Sequence, residues 1–308
     1  MVRTHVVAAA ARAALPLLTG PVRAGAVLAA LTRAVIISVP TPDGPRVLSL
    51  LAPTAAGVPN GVRCGTADAS ALTRHAPGEM VPVGRGRILL GGIEVRVVRT
   101  WPCRVPRVAV GHRSIDTINE VAASRAAGVP DEFVAALESA LESALASLPT
   151  ASTVSRVSRV SRVSTLRAAD GPLLAAVRQL VGRGLGLTPG GDDVIAGALC
   201  GLHATGATGR ARALAAAALD GVTERTTLLS ADLLRLAADG DACLEVLGVL
   251  RAARQAGDVL RPNQSALVGA LDRLLAVGHS SGADLATGLA VGLRAGARVG
   301  TRERTEVG

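Results

Sequence analysis

The chain has 308 residues, 49% of them hydrophobic and 19% charged, enough apolar material for one large core or two ordinary ones. Disorder is excluded as a description of the whole. All 33 cationic residues are Arg, set against 24 acids for a formal net charge of +9, a balance that by itself points to nucleic acid or an anionic membrane. The aromatic content argues the other way: Trp101 and Phe133 are the only aromatic residues, so base-stacking platforms are excluded. The absence of Lys beside abundant Ala, Gly, Val and Arg reads as coding pressure from a GC-rich genome, so part of the basicity is background. The charge is also uneven. Residues 1–113 hold 14 Arg against Asp43, Asp68, Glu79 and Glu94, whereas the remainder holds 19 Arg and 20 acids. Neither nucleic acid nor membrane is therefore the expected partner.

In chain order, the N-terminal run MVRTHVVAAAARAALPLLTG is an Ala-rich segment that imitates a signal peptide, but Arg12 splits its apolar centre. Cys64, Cys103, Cys200 and Cys243 are far apart, form no C-x-x-C pair and read as buried thiols, so a cytoplasmic location is expected. Residues 22–100 read as about six short strands, including Arg33–Val39 and Arg46–Ala52 around T-P-D-G-P. The clearest hairpin runs Gly86–Leu90, Gly91-Gly92, Ile93–Arg99. From Ser114, a predicted N-cap, the pattern becomes helical. One helix is expected to Ala127 and another from Pro130-Asp131-Glu132 to Leu148. Further helices are expected at 166–181, 192–206, 210–219, 226–238, 241–256, 263–276 and 283–297. The expected fold class is α+β: a small antiparallel β-sheet or barrel domain over 1–113, then an all-helical domain over 114–308. Within the latter, residues 149–165 form a low-complexity linker around the repeated S-R-V of 155–164, whose period of three suits neither a helical stripe nor a strand.

The chemistry concentrates in two turns. The first is Gly184-Leu185-Gly186-Leu187-Thr188-Pro189-Gly190-Gly191-Asp192-Asp193, which feeds an apolar helix. The second, Gly278-His279-Ser280-Ser281-Gly282-Ala283-Asp284, repeats G-x-[ST]-x-G-x-D at an offset of 92 residues. Helix starts offer free N–H groups to an anion, while the carboxylates suit a cation, an Arg or a substrate amide. The duplication predicts two helix N-termini arranged around one cleft. Ala196, Gly197, Gly201, Gly288 and Gly292 would let the two helices approach closely. Between the turns lies Glu224-Arg225-Thr226-Thr227-Leu228-Leu229-Ser230. Its hydroxyls either cap a helix or face a ligand, and its Arg225 is either solvated or clamps an anion. His279 is the only His inside a motif and a candidate acid-base group. The lack of Lys excludes Schiff-base chemistry and a P-loop lysine.

The runs GLGLTPGGDDVIAGALCGL, R-T-T-x-x-S and GHSSGADLATGL, in that order, resemble a bacterial family of unknown function that includes the AllH-type subunit of oxamate carbamoyltransferase. GPVRAGAV and GVPNGV extend the likeness more loosely into the first third. One departure is Gly190, where the family's T-P-S-G-D-D run carries Ser. The resemblance implies participation, with other enzyme subunits, in phosphorolysis of oxalurate to oxamate and carbamoyl phosphate during allantoin nitrogen use. It implies a small anionic substrate: phosphate, carbamoyl phosphate or a small carboxylate. Candidate catalytic residues are Asp192, Asp284 and His279. Candidate substrate-binding residues are Thr188, Gly190, Gly191, Asp193, Arg225, Thr226, Thr227, Ser230, Ser280, Ser281 and Gly282. No metal ligand set or resident cofactor is expected, with Mg²⁺ left open. The competing expectation is a non-catalytic metabolite-binding or structural subunit.

Overall fold

The computed structural model describes residues 4–65, 74–125, 128–146, 171–256 and 264–305. The S-R-V tract and the rest of the expected linker lie outside these residues. The chain divides into two compact units, residues 1–104 with 241–247, and residues 105–240 with 248–308.

The first unit is built on eight strands: β1 (Thr4–Ala11), β2 (Arg23–Leu31), β3 (Ala34–Val39), β4 (Arg46–Leu51), β5 (Gly61–Cys64), β6 (Met80–Gly84), β7 (Arg87–Leu90) and β8 (Ile93–Trp101). They close into a barrel in the order β1-β5-β4-β3-β2-β6-β7-β8. The short helix α1 (Leu15–Thr19) carries the chain from β1 towards β2, and Leu17 and Leu18 are buried on it. Alternation along the strands fills the interior: Val6, Ala8 and Ala10 of β1, Val35, Ile37 and Val39 of β3, and Ile88 and Leu90 of β7 all join one apolar core. The β7–β8 hairpin lies where the Gly91-Gly92 turn places it, with Leu90 opposite Ile93.

The α+β class holds, but the small antiparallel sheet is corrected to a closed eight-stranded mixed barrel. β1 runs parallel to β8, from Thr4 opposite Ile93 to Ala11 opposite Trp101, and β4 runs parallel to β5. Thr4–Ala11 of the N-terminal segment that imitates a signal peptide is thus a strand of the barrel, paired with both β5 and β8. Ala has weak strand preference, so THVVAAAA carries little local signal, and only the tight interior selects its small side chains. Residues 241–247 complete this unit: the Gly57 amide donates to Glu245 at 3.2 Å, Leu244 N donates to Gly57 O at 3.0 Å, and Ala242 N donates to Cys103 O at 2.8 Å.

The second unit is helical: α2 (His112–Ala123), α3 (Asp131–Ala146), α4 (Gly171–Leu180), α5 (Gly190–Thr205), α6 (Thr208–Leu219), α7 (Val222–Arg225), α8 (Leu228–Ala238), α9 (Leu244–Ala256, begun in the first unit), α10 (Gln264–Leu275) and α11 (Ser281–Thr305). Ser114 is not an N-cap. The first α2 turn already opens at Gly111, and Ser114 is buried inside it with its amide donating to Gly111 O at 3.0 Å. Helix α5 is buried on every side from Gly190 to Leu202, which is why its sequence shows an unbroken apolar run rather than a stripe. No helix among the described residues is long and apolar enough to cross a membrane.

Candidate functional site

The second unit positions the site by packing α5 against α11. A Cβ on Gly197 would meet Leu285 O and Leu289 N, one on Gly288 would collide with Val194 O, and one on Gly292 would collide with Ala198 O. Contact positions advance together along both helices, so α5 and α11 run parallel with backbones in contact, and their N-termini lie side by side. Each start also rests on the preceding helix: the missing Cβ of Gly191 would strike Leu180 O at the end of α4, and that of Gly282 would strike Leu274 O near the end of α10. The duplicated turns are therefore duplicated in space.

Three carboxylates occupy these adjoining starts, and each has a different set of partners. Asp192 is 2% exposed and uses both oxygens on protein donors. Oδ1 accepts from the Gly182 amide at 2.8 Å, while Oδ2 accepts from Ser230 Oγ at 2.6 Å and from the Thr226 hydroxyl. The R-T-T-x-x-S segment thus converges on the first turn of α5. Thr227 takes the capping role: its hydroxyl accepts from Ser230 N at 3.1 Å at the start of α8, and it donates to Leu187 O of the glycine-rich turn.

Asp193 and Asp284 cross between the two starts. Asp193, on α5, bonds Ser281 at the beginning of α11, and Ser281 Oγ lies 3.1 Å from Thr188 Oγ1. Asp284, on α11, lies against the beginning of α5: a Cβ at Gly190 would be 2.7 Å from its Oδ2. Its Oδ1 accepts from the Gly128 amide at 2.9 Å, and the Val129 amide and Ser280 hydroxyl also bond this carboxylate. Burial pushes the Asp193 carboxyl well above the usual range, and the neighbouring charges of Asp284 and Asp192 add to the rise against the lowering effect of Ser281. Burial likewise raises Asp284, opposed by its bonds to Gly128, Ser280 and Val129.

Twelve of the candidate residues thus meet at one place: Thr188, Gly190, Gly191, Asp192, Asp193, Thr226, Thr227, Ser230, Ser280, Ser281, Gly282 and Asp284. The other two, Arg225 and His279, make no hydrogen bond or ion pair to the three carboxylates among the described residues. Arg225 donates from Nη1 to Asp220 O at 3.3 Å and keeps a buried Nη2 without a partner, while His279 is exposed on the turn before α11. No salt bridge reaches the three Asp residues among the described residues. Nor is any group of three or more His, Cys, Asp or Glu side chains there placed to hold a metal ion. Sequence reasoning missed Gly128 and Gly182, whose contribution is a backbone amide; the Gly-Val-Pro of 128–130 marks only a turn.

Comparison with known families bears on the same stretch. Residues 180–293 match the family described as oxamate carbamoyltransferase subunit AllH. The AllH match takes in the glycine-rich turn, α5, the Thr226–Ser230 segment and the start of α11, so all three motifs of the cluster fall within it, while Gly128 falls outside. No curated protein and no solved structure matches the chain.

Proposed function

We propose that the chain is a subunit of an oxamate carbamoyltransferase-like enzyme, and that the adjoining starts of α5 and α11 form its ligand site. The AllH match over residues 180–293 supports this reading most directly, because the matched stretch supplies all three carboxylates of the cluster. In the reaction, a phosphate oxygen attacks the terminal carbamoyl carbon of oxalurate. The bond from that carbon to the inner nitrogen breaks, and the nitrogen leaves, protonated, as the amide of oxamate. Carbamoyl phosphate is the other product. Asp284 and Asp193 orient the transferred group, and Asp192 is a positioning residue that holds the Gly182, Thr226 and Ser230 donors in place. His279 supplies an acid-base group from the exposed turn, and Arg225 supplies a cation to developing negative charge.

The test combines the purified chain with partner subunits and measures carbamoyl phosphate formed from oxalurate and phosphate. Turnover that requires the chain and falls with Asp284→Ala supports the reading, whereas unchanged turnover removes Asp284 from the mechanism. A second reading, a metabolite-binding or structural subunit without a chemical role, is favoured by Asp192, which spends both oxygens on protein donors. It predicts an assembled complex whose turnover is indifferent to Asp193, Asp284 and His279.

A further inference from the structure

The outer face of the barrel is finished differently on its two sides. On β3 and β4 the outward residues Ile36, Val47, Ser49 and Leu51 are covered, whereas Leu28 on β2 is 38% exposed, Met80 on β6 is 60% exposed and Val22, just before β2, is 54% exposed. Alternation puts these three outside, because Val27, Val81 and Val83 fill the interior. Strand register joins them into one patch, for Met80 lies opposite Ala26 and Pro82 opposite Ala24. A cavity of about 240 Å³ opens beside Val22, lined also by Pro82, Leu89, Arg85, Arg87 and Glu94. Single exposed apolar side chains are ordinary, but several gathered around a groove mark a contact surface.

Charge selects what this groove takes. Glu94, the one acid among its lining residues, is 5% exposed, with Arg87 and Arg96 3.3 Å and 3.5 Å away, so the rim presents guanidinium. Arg85 sharpens the point, because among the described residues it is the only one besides Gly with a left-handed backbone, at φ 51°. Its turn is clamped: a Cβ on Gly84 would meet Pro21 O, and the Arg85 and Gly86 amides donate to Gly20 O and Leu18 O at 3.0 Å and 2.8 Å. Glycine would satisfy that turn without strain, so what Arg85 adds is a cation on a fixed stem beside the groove. A second copy of the chain fits poorly. A symmetric contact would set this Arg rim against itself, and the sequence beyond residue 113 holds 19 Arg against 20 acids. A bilayer would leave the groove unfilled, and one Trp with no Tyr supplies no interfacial anchoring. We propose that this face docks a different protein chain, through a segment that sets an aliphatic side chain in the groove and carboxylates against Arg85 and Arg87. The proposal concerns the barrel and does not rest on the carbamoyltransferase reading, whose support lies in residues 180–293.

Random peptides displayed on phage and selected on the full chain supply the probe. Enriched sequences are expected to carry an aliphatic residue beside Asp or Glu, to bind more weakly as salt rises, and to lose at least about fivefold in affinity with either Met80→Glu or Arg85→Gly. Arg85→Gly should melt no lower than the parent, since glycine adopts this backbone freely. A clear drop would assign Arg85 to the fold and overturn the proposal. No enrichment, enrichment without acidic residues, or equal affinity in parent and both variants would also overturn it. So would a dimer of the chain alone, or co-sedimentation with phosphatidylglycerol vesicles, that Met80→Glu abolishes: the first gives the face to a second copy, the second to a membrane.

Discussion

Asp192 shows how much one side chain can hold. It collects the Gly182 amide and the Thr226 and Ser230 hydroxyls inside the protein. Asp192→Ala strands three donors and should cost roughly 3 kcal/mol or more in urea unfolding, whereas Ser230→Ala, which removes one donor, should cost about 1 kcal/mol. Asp193 and Asp284 act in the opposite sense. Their folded pKa values are raised above the ordinary 3.8, so the fold takes up protons; their contribution to stability is complete below that value and is lost as pH rises through the raised folded values. The melting temperature of Asp193→Asn should therefore gain on the parent as pH rises from acid to neutral, and a constant difference across that range would refute the assignment. Burial pushes the Cys64 thiol up to about 11, so at neutral pH it is a thiol and not a nucleophile. Mass-spectrometric mapping after alkylation of the folded protein should find Cys64 unmodified.

At the scale of elements, the parallel contact of α5 and α11 decides where the chemistry gathers. Gly197, Gly288 and Gly292 let backbone meet backbone, which no larger residue permits at these positions. Gly288→Val should cost about 3 kcal/mol or more, because its Cβ meets a carbonyl that cannot turn aside. Gly248, inside α9 with open space around it, is the matched control: Gly248→Ala should be neutral or stabilise by about 0.5–1 kcal/mol. Thermal melts of the two variants check both signs. Neither outcome follows from composition, since both residues read alike as glycines in helical runs.

At the scale of the whole molecule, two units account for the uneven charge. The positive excess lies in the first third, where Arg87 and Arg96 lie 3.3 Å and 3.5 Å from the buried Glu94 carboxylate, while all three clustered carboxylates lie in the second unit. The first unit also draws on a distant part of the chain, for Asp241–Leu247 belongs to it and Glu245 receives the Gly57 amide. Glu245→Ala should weaken the barrel by about 1–2 kcal/mol and speed amide exchange at Gly57. Exchange at Gly57 equal to the parent's would show that this segment is not part of the barrel's stability.

Much of this was legible locally. The β7–β8 hairpin followed from Gly91-Gly92, helix positions followed from their start signals and apolar patterning, and the repeated G-x-[ST]-x-G-x-D marked two related helix starts. Strand β1 was hidden because an Ala-rich run has little intrinsic strand preference, and the mixed closure because pairing is a property of two segments. The same limit applies to the site. Residue types and spacing placed Asp192, Asp193 and Asp284 at helix starts, but the Gly128 amide that holds Asp284 is 156 residues away and carries no side-chain signal. Periodicity encodes which face of an element is buried, and motif chemistry encodes what a side chain can bond. Only packing decides what that face meets, and so which donors each carboxylate collects.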